Sequence, residues 1–384
     1  MKRKICFLMD SIFSFGGVQR VTAVIAKELT KEYDVTIVTL DKPSSQNTSF
    51  YHLNEADIHY RFFSYPNTPK GKEFFCKAYS FLFRKVLPQT RLTSDWYAHS
   101  SFPSEKRNAL IEELSEGHYD VIIGVHAPLA VRLSMCKDAL KSVRLIGWVH
   151  NSYNALFNVA STYIGAEIKK HYEYQLAKLD YTVVLSNYDA QQYHFPTKVI
   201  YNPLTLQPGE PSRGTSRKLL AVGRFTHLHK GFDLLIKAFS LFAMHNREWT
   251  LDIVGEGPEE AMYRELIASN GLKDKVHIHP FTDNIQQYYS KAQIYVLSSR
   301  WEGFGLVLVE AMAHGLPIVS SDLPTSREIM GDFGIYFENG NIEHLASQLD
   351  QATRLDWPRK SSEAIAIAQR FNLENIISKW KEII

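Results

Sequence analysis

The feature that most constrains this 384-residue chain is a pattern that occurs twice: an apolar strand, a glycine-bearing loop and a helix. Residues 5–9 form a short apolar run, residues 14–17 hold paired glycines, and residues 18–32 space Val21, Val24, Ile25 and Leu29 at helical intervals. A β-branched strand over 35–40 follows, which completes a βαβ unit. The pattern restarts with a strand over 218–222, a loop over 223–231, a helix over 232–244 and a strand over 250–254 that ends in Gly255-Glu256-Gly257. Further strands are expected over 121–125, 145–149, 181–185 and 198–201, and later over 276–279, 294–297 and 318–320. Strands alternating with helices imply parallel, doubly wound sheets, so the expected class is α/β with two Rossmann-like domains facing a central cleft.

Between the halves lies NPLTLQPGEPSRGTSRK (202–218), rich in Pro, Gly, Ser and Thr and read as a linker. The expected domains are 1–203 and 204–370. The stripe of Ile376, Ile377, Trp380 and Ile383 makes a helix over about 371–384 that should pack back on the first domain. Hydrophobic residues at 45% give each half enough material for a core. A net charge of +2 and no recognition motif argue against a nucleic-acid module. The basic excess sits in residues 1–203, with 24 Lys and Arg against 19 Asp and Glu. Cys6, Cys76 and Cys136 are an odd, scattered set, which suits reduced thiols in a cytoplasmic protein. The apolar run before Asp10 is too short for a signal peptide, and no stretch approaches the ~18–20 apolar residues of a spanning helix.

The richest segment is SSRWEGFGLVLVEAMAHGLPIVSS (298–321). A strand ends at Leu297, a loop carries Glu302, Gly303, Phe304 and Gly305, and a helix runs from about Leu306 to Ala313. A helix that opens after a glycine-rich loop presents free backbone N–H groups and partial positive charge, which suit a diphosphate. Glu310, a turn into that helix, can accept hydrogen bonds from ribose hydroxyls, and Glu302 can face a donor sugar.

In these residues the chain resembles glycosyltransferase family 4, the retaining GT-B family. Glu302 and Glu310 match its E-x7-E motif within E-G-F-G-L-x-x-x-E-A-M-x-x-G-x-P-I-V. The resemblance implies a GT-B fold and transfer, with retention, from a nucleotide diphosphate sugar. It implies that Gly223, Arg224 and Lys230 hold the donor diphosphate, with the two cations doing the work of a divalent metal. Gly16 and Gly17, within GGVQR, resemble a family loop near the phosphates and acceptor. His150 stands where the family often has a histidine near the sugar, and Asn202 where many members have an asparagine near a hinge. The base is expected near Gly255 and Phe281. The catalytic set is therefore His150, Arg224, Lys230 and Glu302. The donor set adds Gly303, Phe304, Gly305, Leu306 and Glu310 to the glycines, Asn202 and Phe281 already named. His126 is read as structural. No metal ligand cluster stands out, so neither metal nor other cofactor is expected.

UDP carrying galactose, glucose or an N-acetylhexosamine is the donor implied by likeness to polysaccharide and lipopolysaccharide transferases. The acceptor would be a glycan or a lipid-linked sugar. Residues 70–107 mix eight Lys and Arg with large aromatics, which suits an anionic membrane surface; the alternative is a partly buried helix pair. A peripheral place on the inner face of the cell membrane follows from the first reading. The competing reading of the whole chain is an inactive GT-B subunit that serves as a partner or sugar-binding protein.

Overall fold

The computed structural model describes residues 2–158, 163–226 and 229–384. They form two compact units, one of Met1–Asn202 with Leu373–Ile384 and the other of Pro203–Asn372.

The first unit is built on seven strands: β1 (Lys4–Met9), β2 (Asp34–Thr39), β3 (Ile58–Phe62), β4 (Val121–Val125), β5 (Arg144–Trp148), β6 (Tyr181–Val184) and β7 (Lys198–Val199). Their order is β3-β2-β1-β4-β5-β6-β7, and every described pairing is parallel. Ile5, Cys6, Phe7 and Leu8 are all fully buried, as a central parallel strand covered on both faces requires. The C-terminal helix Leu373–Lys381 joins this unit. Ile376, Ile377 and Trp380 are buried, Trp380 packs edge-on against Trp148 at 4.8 Å, and Arg3 donates to the carbonyl of Ile384 at 2.8 Å.

The second unit carries β8 (Lys218–Val222), β9 (Thr250–Val254), β10 (Val276–His279), β11 (Ile294–Leu297), β12 (Ile318–Ser321) and β13 (Ile335–Phe337). Their order is β10-β9-β8-β11-β12-β13, again parallel. Two edge strands, β3 and β13, were not expected. β3 is half-solvated along most of its length and β13 has only three residues, so neither carries a strong apolar signature.

The segment read as a linker is a strap on the second unit. Ser212 is buried, its N–H donates to the carbonyl of His314 at 2.9 Å, and its hydroxyl donates to that of Ala292. At Gly214 a side chain would collide with the Trp357 ring, 2.2 Å from a Cβ built there. Leu204 N–H donates to Phe371 carbonyl at 2.7 Å, tying the start of the second unit to its end.

Candidate active site

In both sheets the strand order reverses beside the first strand, between β1 and β4 and between β8 and β11. Ligands of open α/β sheets bind outside the carboxyl ends of the strands at that reversal. The loops that leave β8 and β11 there hold Gly223, Arg224 and Lys230 on one side and Glu302 to Gly305 on the other.

These two loops are locked together. Lys230 Nζ lies 2.5 Å from Glu302 Oε1, with the two side chains only 15% and 7% exposed. Ser299 Oγ donates to the same carboxylate oxygen at 2.6 Å. His229 stacks on Trp301 at 4.8 Å and donates Nε2–H to its carbonyl at 2.6 Å. Arg300 N–H donates to the carbonyl of His229 at 2.8 Å, and the Arg300 guanidinium grips both oxygens of Asp233 at 2.8 Å. Burial pushes the Glu302 carboxyl up. The charges of Lys230 and His229, with hydrogen bonds from Lys230 and Ser299, outweigh burial and hold it below the usual value. The result is an ionised carboxylate with a cation beside it.

Two glycines make this packing possible. Gly231 caps the helix Phe232–Ala243 at φ +63, and a Cβ there would sit 2.0 Å from the carbonyl oxygen of Ser298. Gly223 lies under the Lys230 side chain, whose Cγ would be 2.8 Å from a Cβ at that position. Any side chain at Gly223 would push the lysine stem away and with it the ammonium. Gly255 follows β9, and a Cβ on it would meet the Gly223 carbonyl at 1.9 Å.

The helix Leu306–Ala313 starts at Gly305, which adopts φ +87, ψ +55. Glu310 is buried and accepts from the Tyr289 hydroxyl at 2.9 Å. Tyr289 stacks on His314 at 5.0 Å, and His314 donates Nδ1–H to the carbonyl of Glu310 at 2.7 Å. Glu310 is therefore held by partners on a second helix and in its own next turn. Arg224 is exposed, and Phe281 is 45% exposed in the loop after β10. Phe304 departs from its expected role. Its ring is buried edge-on against Phe371 at 5.7 Å, so the side chain packs the core and only its backbone belongs to the loop.

The other expected residues lie on the first unit. Gly16 precedes the helix Gly17–Leu29, and its N–H is taken by the Tyr51 hydroxyl at 2.7 Å; that hydroxyl donates to Ser14 carbonyl at 3.0 Å. Tyr51 and His52 hold this latch with φ of +53 and +55, a left-handed pair of non-glycine residues. Such strain concentrates at functional sites. His150 follows β5, is buried, and its Nε2 has no partner among the described residues. Burial, with the neighbouring His126, lowers its pKa well below the ordinary value, so it is neutral. Asn202 is likewise buried, with Oδ1 unpartnered among the described residues.

His126, read from sequence as structural, follows β4 in a backbone conformation of φ +75, and its ring lies 5.4 Å from that of His150. The sequence signal for its geometry is slight, a histidine just before Ala127-Pro128 where a helix begins. Tyr51 had no signal, because it reaches the glycine loop from 35 residues away. Among the described residues no group of three or more His, Cys, Asp or Glu could hold a metal ion.

Comparison with known proteins matches residues 205–370 to the family of glycosyl transferases group 1. An uncharacterized glycosyltransferase of Haemophilus influenzae is 27% identical, with both chains covered fully. The amylovoran biosynthesis glycosyltransferase AmsD of Erwinia amylovora is 25% identical over 99% of each chain. Among solved structures, Anabaena HepE in complex with UDP superposes with a TM-score of 0.75 at 19% identity, covering 99% of this chain and 98% of that one.

Proposed function

We propose that this chain, which has the GT-B fold and matches glycosyl transferases group 1 over residues 205–370, is a retaining, metal-independent glycosyltransferase of family 4. It moves a hexose or N-acetylhexosamine from a UDP-linked donor to a glycan or lipid-linked acceptor in surface polysaccharide synthesis. The observation that carries this reading is the Lys230–Glu302 pair beside the opening of the helix that bears Glu310. UDP is favoured by the HepE complex, and the polysaccharide role by the name of AmsD.

In the proposed reaction the acceptor hydroxyl oxygen bonds to the anomeric carbon on the face that the diphosphate leaves. The bond from that carbon to the phosphate oxygen breaks, and its electron pair departs with the nucleoside diphosphate. The acceptor proton goes to a departing phosphate oxygen. Negative charge grows on the diphosphate as the bond breaks, and fixed cations stabilise it without reorganisation. Lys230 and Arg224 take that task, together with the N–H groups that follow Gly305. Glu302, kept ionised, orients Lys230 and the donor sugar. Glu310 receives the ribose hydroxyls. On the first unit, the resemblance assigns His150, which is neutral, to the sugar, and Gly16, Gly17 and Asn202 to substrate binding.

Calorimetric titration of UDP and of GDP, without added metal, tests the donor site on wild type and Glu310→Gln. Micromolar binding of UDP, weakened about tenfold or more in the variant, is expected from the loss of a charge-assisted bond. Binding of GDP alone would overturn the choice of base. Binding of neither by folded protein would favour the inactive-subunit reading.

A further inference from the structure

Among the described residues, seven of the twelve exposed large hydrophobic side chains crowd into one helical hairpin, Lys70–Lys85 and Arg91–Ser101. The hairpin's inner side is well anchored. Phe83 stacks on Tyr97 at 4.4 Å, Tyr97 meets His171 edge-on at 4.7 Å, and Ser94 Oγ bonds His171 Nδ1 at 2.9 Å. The outer side has the opposite polarity from a solvated helix. Phe74 and Phe81, and likewise Phe75 and Leu82, are two turns apart and form adjacent rows on one outward face. They are 69%, 63%, 73% and 45% exposed. Val86 in the turn, then Leu92 and Trp96 on the second helix, extend the apolar surface.

Cations border it. Lys70 and Lys77 lie two turns apart and are exposed, so they form one edge beside the apolar rows, whereas the Arg84 guanidinium turns to the Tyr97 hydroxyl at 3.1 Å. Across 70–101 there are six Lys and Arg against Glu73 and Asp95. Both acids are already paired, Glu73 with Lys77 at 2.7 Å and Asp95 with Lys178 at 2.9 Å.

The geometry points to this face as a docking surface for an anionic lipid bilayer, with Phe74, Phe75, Phe81 and Leu82 entering the acyl boundary and Lys70 and Lys77 meeting headgroup phosphates. Aromatic and aliphatic side chains on one face with lysines along its edge match the polarity gradient of a bilayer interface. A second copy of the chain fits less well, because a two-fold contact would bring the same cationic edge against itself. Among the described residues no helix is long and apolar enough to cross a membrane, so attachment here would be to one leaflet. The inference deepens the lipid-linked-acceptor part of the proposed function, but vesicle partitioning is read without turnover, so each can fail alone.

The test is sedimentation of the full chain with vesicles of phosphatidylcholine alone or with about 30% phosphatidylglycerol, an anionic fraction strong enough to attract basic segments. Wild type should pellet with the anionic vesicles and be released by salt. Phe74→Ser/Phe75→Ser/Phe81→Ser should lower the partition coefficient about tenfold or more, from the apolar area lost. Lys70→Glu/Lys77→Glu should erase the preference for anionic over neutral vesicles. All three proteins should melt alike and bind nucleotide alike. Wild type remaining in the supernatant, or a folded triple variant that partitions like wild type, would overturn the inference. So would light scattering that shows a dimer broken by the triple variant with no vesicle binding, which would make the face a self-association surface.

Discussion

Replacing Lys230 with methionine separates what the Lys230–Glu302 pair does for the fold from what it does for the reaction. The two side chains are 15% and 7% exposed and meet at 2.5 Å, so Lys230→Met leaves a buried carboxylate with the Ser299 hydrogen bond and the nearby His229 but without its ion-pair partner. Breaking a buried pair from one side costs about 3–5 kcal/mol. For a unit spanning 203–372 that is a fall in melting temperature of roughly 6–20 °C. Removing a positioned cation from a developing diphosphate charge costs about 100- to 1000-fold in kcat. Lys230→Met/Glu302→Gln removes both charges and lets Ser299 bond the amide, so it should regain most of the stability and none of the turnover. Calorimetric melts and kcat on the same three proteins give the answer. The pH slope supplies a second check. In wild type the Glu302 carboxyl is held low, so its contribution to stability is present above the ordinary carboxylate range and fades as pH falls through the folded value. In Lys230→Met burial is no longer opposed by the lysine, the carboxyl moves up, and acidification should stabilise the variant instead. A single variant that melts with wild type, or a double variant that regains turnover, would refute the reasoning.

Two further outcomes are expected on the first unit. Tyr51→Phe strips the hydroxyl that accepts from Gly16 and donates to Ser14, so the Gly16 amide should exchange with solvent about fivefold faster, for a loss of about 1 kcal/mol; unchanged exchange would show that the loop stands without its latch. Burial lowers the His171 pKa from 6.5 to about 4, so the unfolded chain takes up the proton first as pH falls. That histidine's contribution is whole above pH ~6.5 and about 3 kcal/mol is lost by pH ~4. His171→Gln should show a shallower acid limb in denaturant melts, and an identical limb would place the acid sensitivity elsewhere.

Much of the fold is legible in the sequence because central parallel strands are buried on both faces. Runs such as Ile5–Leu8 or Ile294–Leu297 must then be apolar at every position, a strong and local signal. β3 has a single fully buried residue and β13 is three residues long with one, so neither carries that signal, although the edge strands β7 and β10 are legible from their β-branched residues. The segment around Ser212 shows the converse failure. Pro, Gly and Ser serve a solvated linker and a packed strap equally well, and only the buried Ser212 and the ring of Trp357 against Gly214 distinguish them.

At the site, the sequence by itself determined which chemistry is on offer: two carboxylates eight positions apart, a glycine loop before a helix, and Arg224 and Lys230 after a strand. Those are short-range facts, set by spacing along one or two elements. Tertiary structure alone decided how those groups are used. It pairs Lys230 with Glu302 across 72 residues, sets Tyr289 on Glu310, turns Phe304 inward and latches Gly16 with Tyr51. It also turned the aromatic face of the 70–85 helix outward, where periodicity alone marks an apolar stripe without saying whether protein covers it. The physical reason is the same in each case. A side chain's partner is fixed by which strands neighbour one another in the sheet, and that order is a property of the whole folded unit rather than of any segment.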